Sequence, residues 1–285
     1  MTIPFLKMHG LGNDFVVIDA RTRPVPLTAA HARAIGDRRR GVGFDQLILI
    51  EPPQDRAADI FMRILNPDGS EAGACGNATR CVASLVGIGL GRDELVIQTI
   101  SGLLRCWLHA DGTVTVDMGP ARLDWQQIPV AEACDTLHLP AAAGPLSDGV
   151  GVNMGNPHAV HFVPDAEAVD LTQWGPQLER HPFFPDRANI EVVSITGPAS
   201  VRMRVWERGA GITDACGSGA CAVGVAAIRR GLVQGRRVAV TLDGGILNIE
   251  WRDDGHVLMT GPVATSFAGT LGPELLGPEL LGETL

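Results

Sequence analysis

Apolar residues in the first half of the chain gather in short runs. Phe15–Asp19, Leu47–Ile50, Ile60–Leu65, Leu95–Thr99, Leu103–Leu108 and Val114–Met118 are rich in β-branched and aliphatic residues and bounded by Gly, Pro or Asp, which predicts strands. After Cys75 the period changes. Ala78, Cys81, Val82, Ala83, Leu85, Val86 and Ile88 recur at helical spacing and cover most of the circumference. After Cys216 the stretch from Ala220 to Ile228 is small and apolar on every side. A helix apolar all round must be enclosed, so the pattern predicts several strands wrapped about one buried helix, once per half. Residues 271–285 carry Pro and Gly too densely for a core and predict a loose tail.

The two halves resemble each other in order. Ala74-Cys75-Gly76-Asn77 is matched by Ala215-Cys216-Gly217-Ser218, and Met62-Arg63-Ile64-Leu65 by Met203-Arg204-Val205-Trp206 at the same distance upstream. Thr99-Ile100-Ser101-Gly102 matches Thr241-Leu242-Asp243-Gly244, and Met118-Gly119-Pro120 matches Thr260-Gly261-Pro262. Gly12-Asn13-Asp14-Phe15-Val16-Val17 matches Gly155-Asn156-Pro157-His158-Ala159-Val160. Single-residue gaps bring all of these into register, which reads as an internal duplication. The expected class is α+β, with two pseudo-symmetric domains, each a rolled β-sheet or barrel around a central apolar helix. The domains are expected at 1–120 and 121–262, a strand around 263–270 rejoining the first, and the active site in the cleft between them.

Composition narrows the chemistry. The chain has 285 residues and a net charge of −9, with an isoelectric point near 5.3, so a basic face for nucleic acid is not expected. The run Arg38-Arg39-Arg40 is too short to alter that and reads as a solvated helix end. The opening residues lack the layout of a signal peptide, and no apolar stretch of about 18 residues offers a membrane span. A cytoplasmic location with reduced thiols is expected. No C-x-x-C pair or Cys/His cluster at zinc spacing occurs, so no metal is expected. Lys7 is the sole lysine and tyrosine is absent. Schiff-base chemistry would hang on one residue, and a tyrosine acid or base is excluded.

The two Cys-Gly segments sit where a strand and loop give way to a buried helix. Backbone N–H groups at a helix start bind anions, which makes Gly76, Asn77, Gly217 and Ser218 a carboxylate site. The same partial positive charge is expected to lower the pKa of Cys75 and Cys216. Two helix starts facing one cleft would set a substrate α-carbon between two sulfurs. One thiolate then removes the α-proton and the opposite thiol returns one to the other face, with neither metal nor pyridoxal phosphate. Cysteine is more often a small core residue than a base, and Cys81, Cys221 and Cys106 take that ordinary reading. Cys134 carries no signal.

The halves differ where asymmetry helps. His158 stands in place of Phe15, and Glu207 in place of Asn66; near the cleft each could take or hold a thiol proton, although for a lone histidine spacing alone favours a satisfied surface or core residue. His31, His109, His138, His161, His181 and His256 take the ordinary reading of surface or core residues. Asn13, Gln46, Asn66, Asn156, Asn189 and Arg208 are polar residues in strand-to-loop contexts, and an arginine among amides suits a second charged end of the substrate.

The segments Lys7-Met8-His9-Gly10-Leu11-Gly12-Asn13-Asp14-Phe15, Gly41-Val42-Gly43-Phe44-Asp45-Gln46, Asn66-Pro67-Asp68-Gly69-Ser70 and Ala74-Cys75-Gly76-Asn77 occur in that order. They are followed by Met154-Gly155-Asn156-Pro157-His158, Arg187-Ala188-Asn189-Ile190 and the stretch from Trp206-Glu207-Arg208-Gly209 through Ala215-Cys216-Gly217-Ser218 to Ala222. The series resembles that of the diaminopimelate epimerases and runs to about residue 262. The resemblance implies a cofactor-independent isomerase interconverting LL- and meso-2,6-diaminoheptanedioate, in the biosynthesis of lysine and peptidoglycan precursors. It implies Cys75 and Cys216 as acid and base, tuned by His158 and Glu207. It implies substrate contacts at Asn13, Gln46, Asn66, Gly76, Asn77, Asn156, Asn189, Glu207, Arg208, Gly217 and Ser218, and a homodimer that closes over a small diamino dicarboxylate.

Three positions depart from the family's pattern. Ala78 follows the anion-binding turn where Gly is usual, Ile212 precedes Thr213 where G-E-T is usual, and Phe267 is the nearest candidate for a position where the family often has a tyrosine associated with dimer contacts. Two alternatives compete: a related racemase of another amino acid such as proline or histidine, and a non-catalytic binder. The first would leave Asn66, Asn189 and Arg208 unpaired, at about 1–3 kcal/mol per buried group. The second has no need of two reactive thiols.

Overall fold

A computed structural model describes residues 2–280. The chain divides into two compact units, one combining residues up to Val116 with those from Pro262 onward, the other spanning Asp117–Gly261. The first unit begins with β1 (Ile3–Gly10), β2 (Asn13–Asp19), α1 (Ala29–Gly36), β3 (Gln46–Glu51), β4 (Ile60–Leu65) and β5 (Glu71–Ala72). It continues with α2 (Gly76–Leu90), β6 (Glu94–Thr99), β7 (Gly102–Leu108) and β8 (Val114–Pro120), whose first residues pair with β7. The second unit holds β9 (Val150–Asn153), β10 (Pro157–Phe162), α3 (Leu171–Glu179), β11 (Asn189–Gly197), β12 (Ser200–Glu207) and β13 (Gly211–Ile212). After these come α4 (Gly217–Arg229), β14 (Arg237–Leu242), β15 (Gly245–Trp251) and β16 (His256–Gly261). The chain then returns to the first unit as β17 (Ala264–Leu271) and α5 (Pro273–Leu280).

Strand pairing repeats step for step. β1–β2 is antiparallel, β2–β3 parallel, β3–β4 and β4–β5 antiparallel, β4–β6 parallel and β6–β7 antiparallel. The second unit gives the same series in β9–β10, β10–β11, β11–β12, β12–β13, β12–β14 and β14–β15. The expected strands are all present, extended by a residue or two where the pairing partner continues. The unit built from a mixed sheet around one apolar helix therefore occurs twice.

Periodicity explains which strands lie where. β6 and β14 share one alternating burial pattern, with Leu95 and Ile97 or Val238 and Val240 turned inward. The parallel pairs β2–β3 and β10–β11 are buried on both faces because both faces are covered. In the first unit Val16, Ile18, Leu47 and Leu49 pack with Ala32 and Ile35 of α1. In the second, Ile190 and Val192 pack with Leu171 and Leu178 of α3. The opposite faces are left to the central helices. α2 packs against β1, β2, β6 and β7, and α4 against β9 to β12 and β14 to β16. On α4 every residue from Gly219 to Ala227 is buried.

Two expectations fail here. Residues 273–280 form a helix, since Leu271 and Leu276 reach the cluster over α1 and outweigh the Pro and Gly density; residues 281–285 lie outside the described residues. Arg38 is also no bystander at a helix end, because it pairs with Asp14 and Asp45. His31 closes a capping box with Thr28 at the start of α1. Among the described residues no helix is long and apolar enough to cross a membrane.

Close packing of the central helix is testable at Gly224. A Cβ there would lie 2.7 Å from Cγ2 and 3.0 Å from Cβ of Ile249, a β-branched side chain with little freedom to turn away. Gly224→Ala should gain helix propensity of about 1 kcal/mol but lose about 1–3 kcal/mol to overpacking. The net expectation is a lowered melting temperature by calorimetry; an unchanged or raised value would show that α4 and β15 are not in rigid contact.

Candidate functional site

Each central helix begins at a cysteine. Cys75 is the N-cap of α2 and Cys216 the N-cap of α4, both in extended backbone. Both follow the two-residue strand that leaves β4 or β12, so the duplicated topology sets them at equivalent points. The first-turn amides at Gly76, Asn77, Gly217 and Ser218 lack carbonyl partners inside their own helices. Amides so placed are the groups on which the expectation of an anion site rests.

Within the first unit, register gathers the polar residues around Cys75. Parallel pairing sets Phe15 beside Gln46, and the β3–β4 pairing sets Leu47 beside Leu65, so Asn13, Gln46 and Asn66 emerge at the same end of the sheet. Gln46 Nε2 donates to Asn66 Oδ1 at 3.4 Å, and Asn66 Nδ2 to Ser70 Oγ at 3.0 Å. Asn13 Oδ1 accepts from Asn77 Nδ2 at 3.2 Å and from Cys75 Sγ at 3.8 Å.

Within the second unit, Asn156, His158, Asn189, Glu207 and Arg208 collect with Cys216, Gly217 and Ser218. His158 pairs in register with Asn189, whose Nδ2 donates to Pro157 O at 2.9 Å. The other end of that amide accepts the Arg208 backbone N–H at 2.9 Å. The Arg208 guanidinium donates to Asp186 O at 3.0 Å. Cys216 Sγ accepts the Gly219 N–H at 3.4 Å and lies 3.6 Å from Ser218 Oγ. Thr213 donates to Glu207, so the family's missing carboxylate beside Ile212 leaves a hydroxyl in use.

The electrostatics depart from the helix-start argument. Burial pushes the Cys216 thiol well above its ordinary value, and the Glu207 and Glu191 carboxylates push it further; Ser218 and Gly219 offset only part. An enclosed sulfur beside two acids gains less from the amides than it loses in hydration. Burial also raises Glu207, while hydrogen bonds from Thr213 and Cys216 and the charge of His158 draw it back. The result is a thiol beside a carboxylate of heightened proton affinity.

Sequence reasoning overlooked Glu191. It is completely buried, and its Oε1 lies 2.6 Å from His158 Nδ1, while His158 Nε2 lies 2.9 Å from Asn156 Oδ1. The available signal is an acid inside the otherwise apolar run that forms β11. Glu179 was overlooked too; it accepts from Trp206 Nε1 at 2.8 Å and from the Gly209 N–H at 3.0 Å, holding the turn that carries Arg208. The other cysteines fit their ordinary reading. Cys81, Cys106 and Cys221 are buried, and burial pushes the Cys81 thiol up to about 12. His161 is a core residue, driven down to about 4 by burial, and His138 pairs with Asp148. Among the described residues no cluster of three or more His, Cys, Asp or Glu could hold a metal ion.

Known proteins place these features in context. The family model described as diaminopimelate epimerase matches residues 5–123 and 150–266. A diaminopimelate epimerase of Rhodospirillum centenum is 68% identical over 280 residues, covering 98% of this chain and 96% of that protein. One of Acidiphilium cryptum is 55% identical over 273 residues, covering 96% and 98%. Among solved structures, a hydroxyproline epimerase of Agrobacterium vitis shares the fold with a TM-score of 0.68 at 19% identity, covering 100% of this chain and 95% of that one. Matched through both units and close to full-length relatives, the chain belongs to the diaminopimelate epimerase family.

Proposed function

We propose that this protein interconverts LL- and meso-2,6-diaminoheptanedioate by a cofactor-independent two-base reaction at Cys75 and Cys216, serving lysine and peptidoglycan precursor synthesis. One observation carries the reading: two cysteines cap topologically equivalent helices in a chain 68% identical to a diaminopimelate epimerase. One cysteine, as thiolate, takes the α-proton, and the electron pair left on carbon delocalises into the substrate carboxylate. The other, as thiol, delivers its proton to the opposite face and is left as thiolate. No electrons enter or leave, and the product differs only in configuration.

Each residue then has a task. The amides of Gly76, Asn77, Gly217 and Ser218 meet the charge that develops on the carboxylate. Glu207 accepts the Cys216 proton when that sulfur acts as base, and its raised proton affinity brings it closer to the thiol. His158, held between Glu191 and Asn156, supplies charge toward Glu207. Asn13, Gln46, Asn66, Asn156, Asn189 and Arg208 bind the polar groups of the substrate, with the guanidinium suited to a carboxylate. The duplicated halves, 1–120 and 121–262, act as paired epimerase domains contributing one thiol each. A homodimer working in the cytoplasm, without nucleic-acid or membrane partners, completes the reading; the acidic balance and the family resemblance support it.

Turnover of the LL substrate in deuterium oxide should load deuterium at the inverted α-carbon. Cys75→Ala or Cys216→Ala should lower kcat by about 1,000-fold or more, and full activity in either variant would remove the two-base mechanism. A panel including proline and histidine should show preference for the diamino dicarboxylate.

The Thr213 hydroxyl stabilises ionised Glu207, and Glu207 must be ionised to take a proton. Thr213→Val should therefore move the acid limb of kcat/KM to higher pH by roughly 0.5–1 unit. The alkaline side should stay in place. An unmoved acid limb would take Glu207 out of the proton path.

A further inference from the structure

Several residues of the first unit's motif segments have no task in the reaction. Lys7, the sole lysine, is buried on β1, ion-paired with Asp14 Oδ2 at 2.5 Å, and donates to Gly43 O. Gly43 takes φ +74, where a Cβ would also press on Arg38 Cγ at 2.8 Å, so the loop fits closely over that arginine. Arg38 grips Asp14 through both terminal nitrogens, at 3.1 and 2.8 Å, and reaches Asp45 Oδ1 at 2.7 Å. Asp14 in turn accepts the Asp45 backbone N–H at 2.9 Å. Burial alone would raise Asp14, but hydrogen bonds from Arg38 and Lys7 bring it down to about 2, so it is an anion throughout the neutral range. These contacts anchor the Asp45 carboxylate even though its outer side is open to solvent.

The second oxygen of Asp45 meets Asn13. Asp45 Oδ2 accepts from Asn13 Nδ2 at 2.9 Å and from the Asp14 backbone N–H at 3.0 Å. An asparagine amide has a donating and an accepting end of nearly equal size, so its sense is set by neighbours. An ionised carboxylate accepts only. The amide nitrogen must therefore face Asp45, and the oxygen must face away, toward Asn77 Nδ2 and the Cys75 sulfur. An oxygen beside a thiol supports S–H, whereas an N–H in that place would support the thiolate.

We propose that Asp45 is a positioning residue for the Cys75 acid/base group: it locks the Asn13 amide with its oxygen toward the sulfur, and Lys7, Asp14 and Arg38 hold Asp45 in place. This rests on the reading of Cys75 as an acid/base cysteine. The amide lock makes the first-unit cysteine favour its protonated form by hydrogen bonding, a different device from the buried carboxylates beside Cys216.

The test is the pH dependence of iodoacetamide alkylation on the full chain without substrate, with each cysteine followed by peptide mass analysis. Asp45→Ala removes the acceptor that Asn13 Nδ2 meets, so the Asn13 amide is free to turn. The Cys75 profile should move to lower pH, with alkylation near pH 7 about three- to tenfold faster, while the Cys216 profile stays in place. Should Asp45→Ala fail to fold by thermal melting, Arg38→Met, which leaves Asp45 but removes the arginine that holds it, should move Cys75 in the same direction by a smaller amount. An unmoved Cys75 profile in the folded variant, or an equal shift at both cysteines, would overturn the proposal. Alkylation needs no turnover, so a failure of the amide lock is distinguishable from a failure of the epimerase reading, which deuterium incorporation reports.

Discussion

A helix with no polar side has to be surrounded, and α4 is such a helix; α2 is apolar over most of its circumference and buried from Gly76 to Ala83. Burying α4 from Gly219 to Ala227 removes every residue of that stretch from water, and Gly224 lets β15 approach until Ile249 touches the helix backbone. Strands must therefore wind around each helix, and the parallel crossovers β4–β6 and β12–β14 are the links that pass the helix through its sheet. The start of an enclosed helix is the one place where its backbone amides still face outward from their own hydrogen-bond ladder. A cysteine stands at each of these starts.

The two cysteines then live under different electrostatics. Cys216 is enclosed with Glu207 and within reach of the Glu191 field, and burial outweighs what the helix start contributes. Cys75 is half-buried and meets an amide oxygen whose direction depends on Asp45. A duplicated scaffold thus carries two cysteines in non-identical surroundings. The difference traces to substitutions at equivalent points, His158 for Phe15 and Glu207 for Asn66, which place titratable groups on one side and a phenyl ring and an amide on the other.

Much of this was legible in residue order. Strand positions followed from short apolar runs between Gly, Pro and Asp, and the enclosed helices from apolar residues on all faces. Cys75 and Cys216 stood out because one short segment recurs in matching surroundings. Arg38 was misread because its partners Asp14 and Asp45 come from another hairpin end and from the loop beyond it. Glu191 was missed because an acid in a strand has the same letter whether it faces water or a histidine. The helix at 273–280 was missed because its support comes from the far end of the chain, where Leu276 meets the cluster over α1.

Sequence by itself determined the elements, the duplication, the paired cysteines at the two helix starts and the family, since all of these depend on local periodicity or on residue identity in order. Tertiary structure alone decided the protonation environment: which carboxylates are buried beside Cys216, which way the Asn13 amide points, and what the single lysine does. Those properties depend on distances of a few ångströms between residues remote in the chain, and on how much water is excluded between them. Neither quantity is written in spacing along the chain.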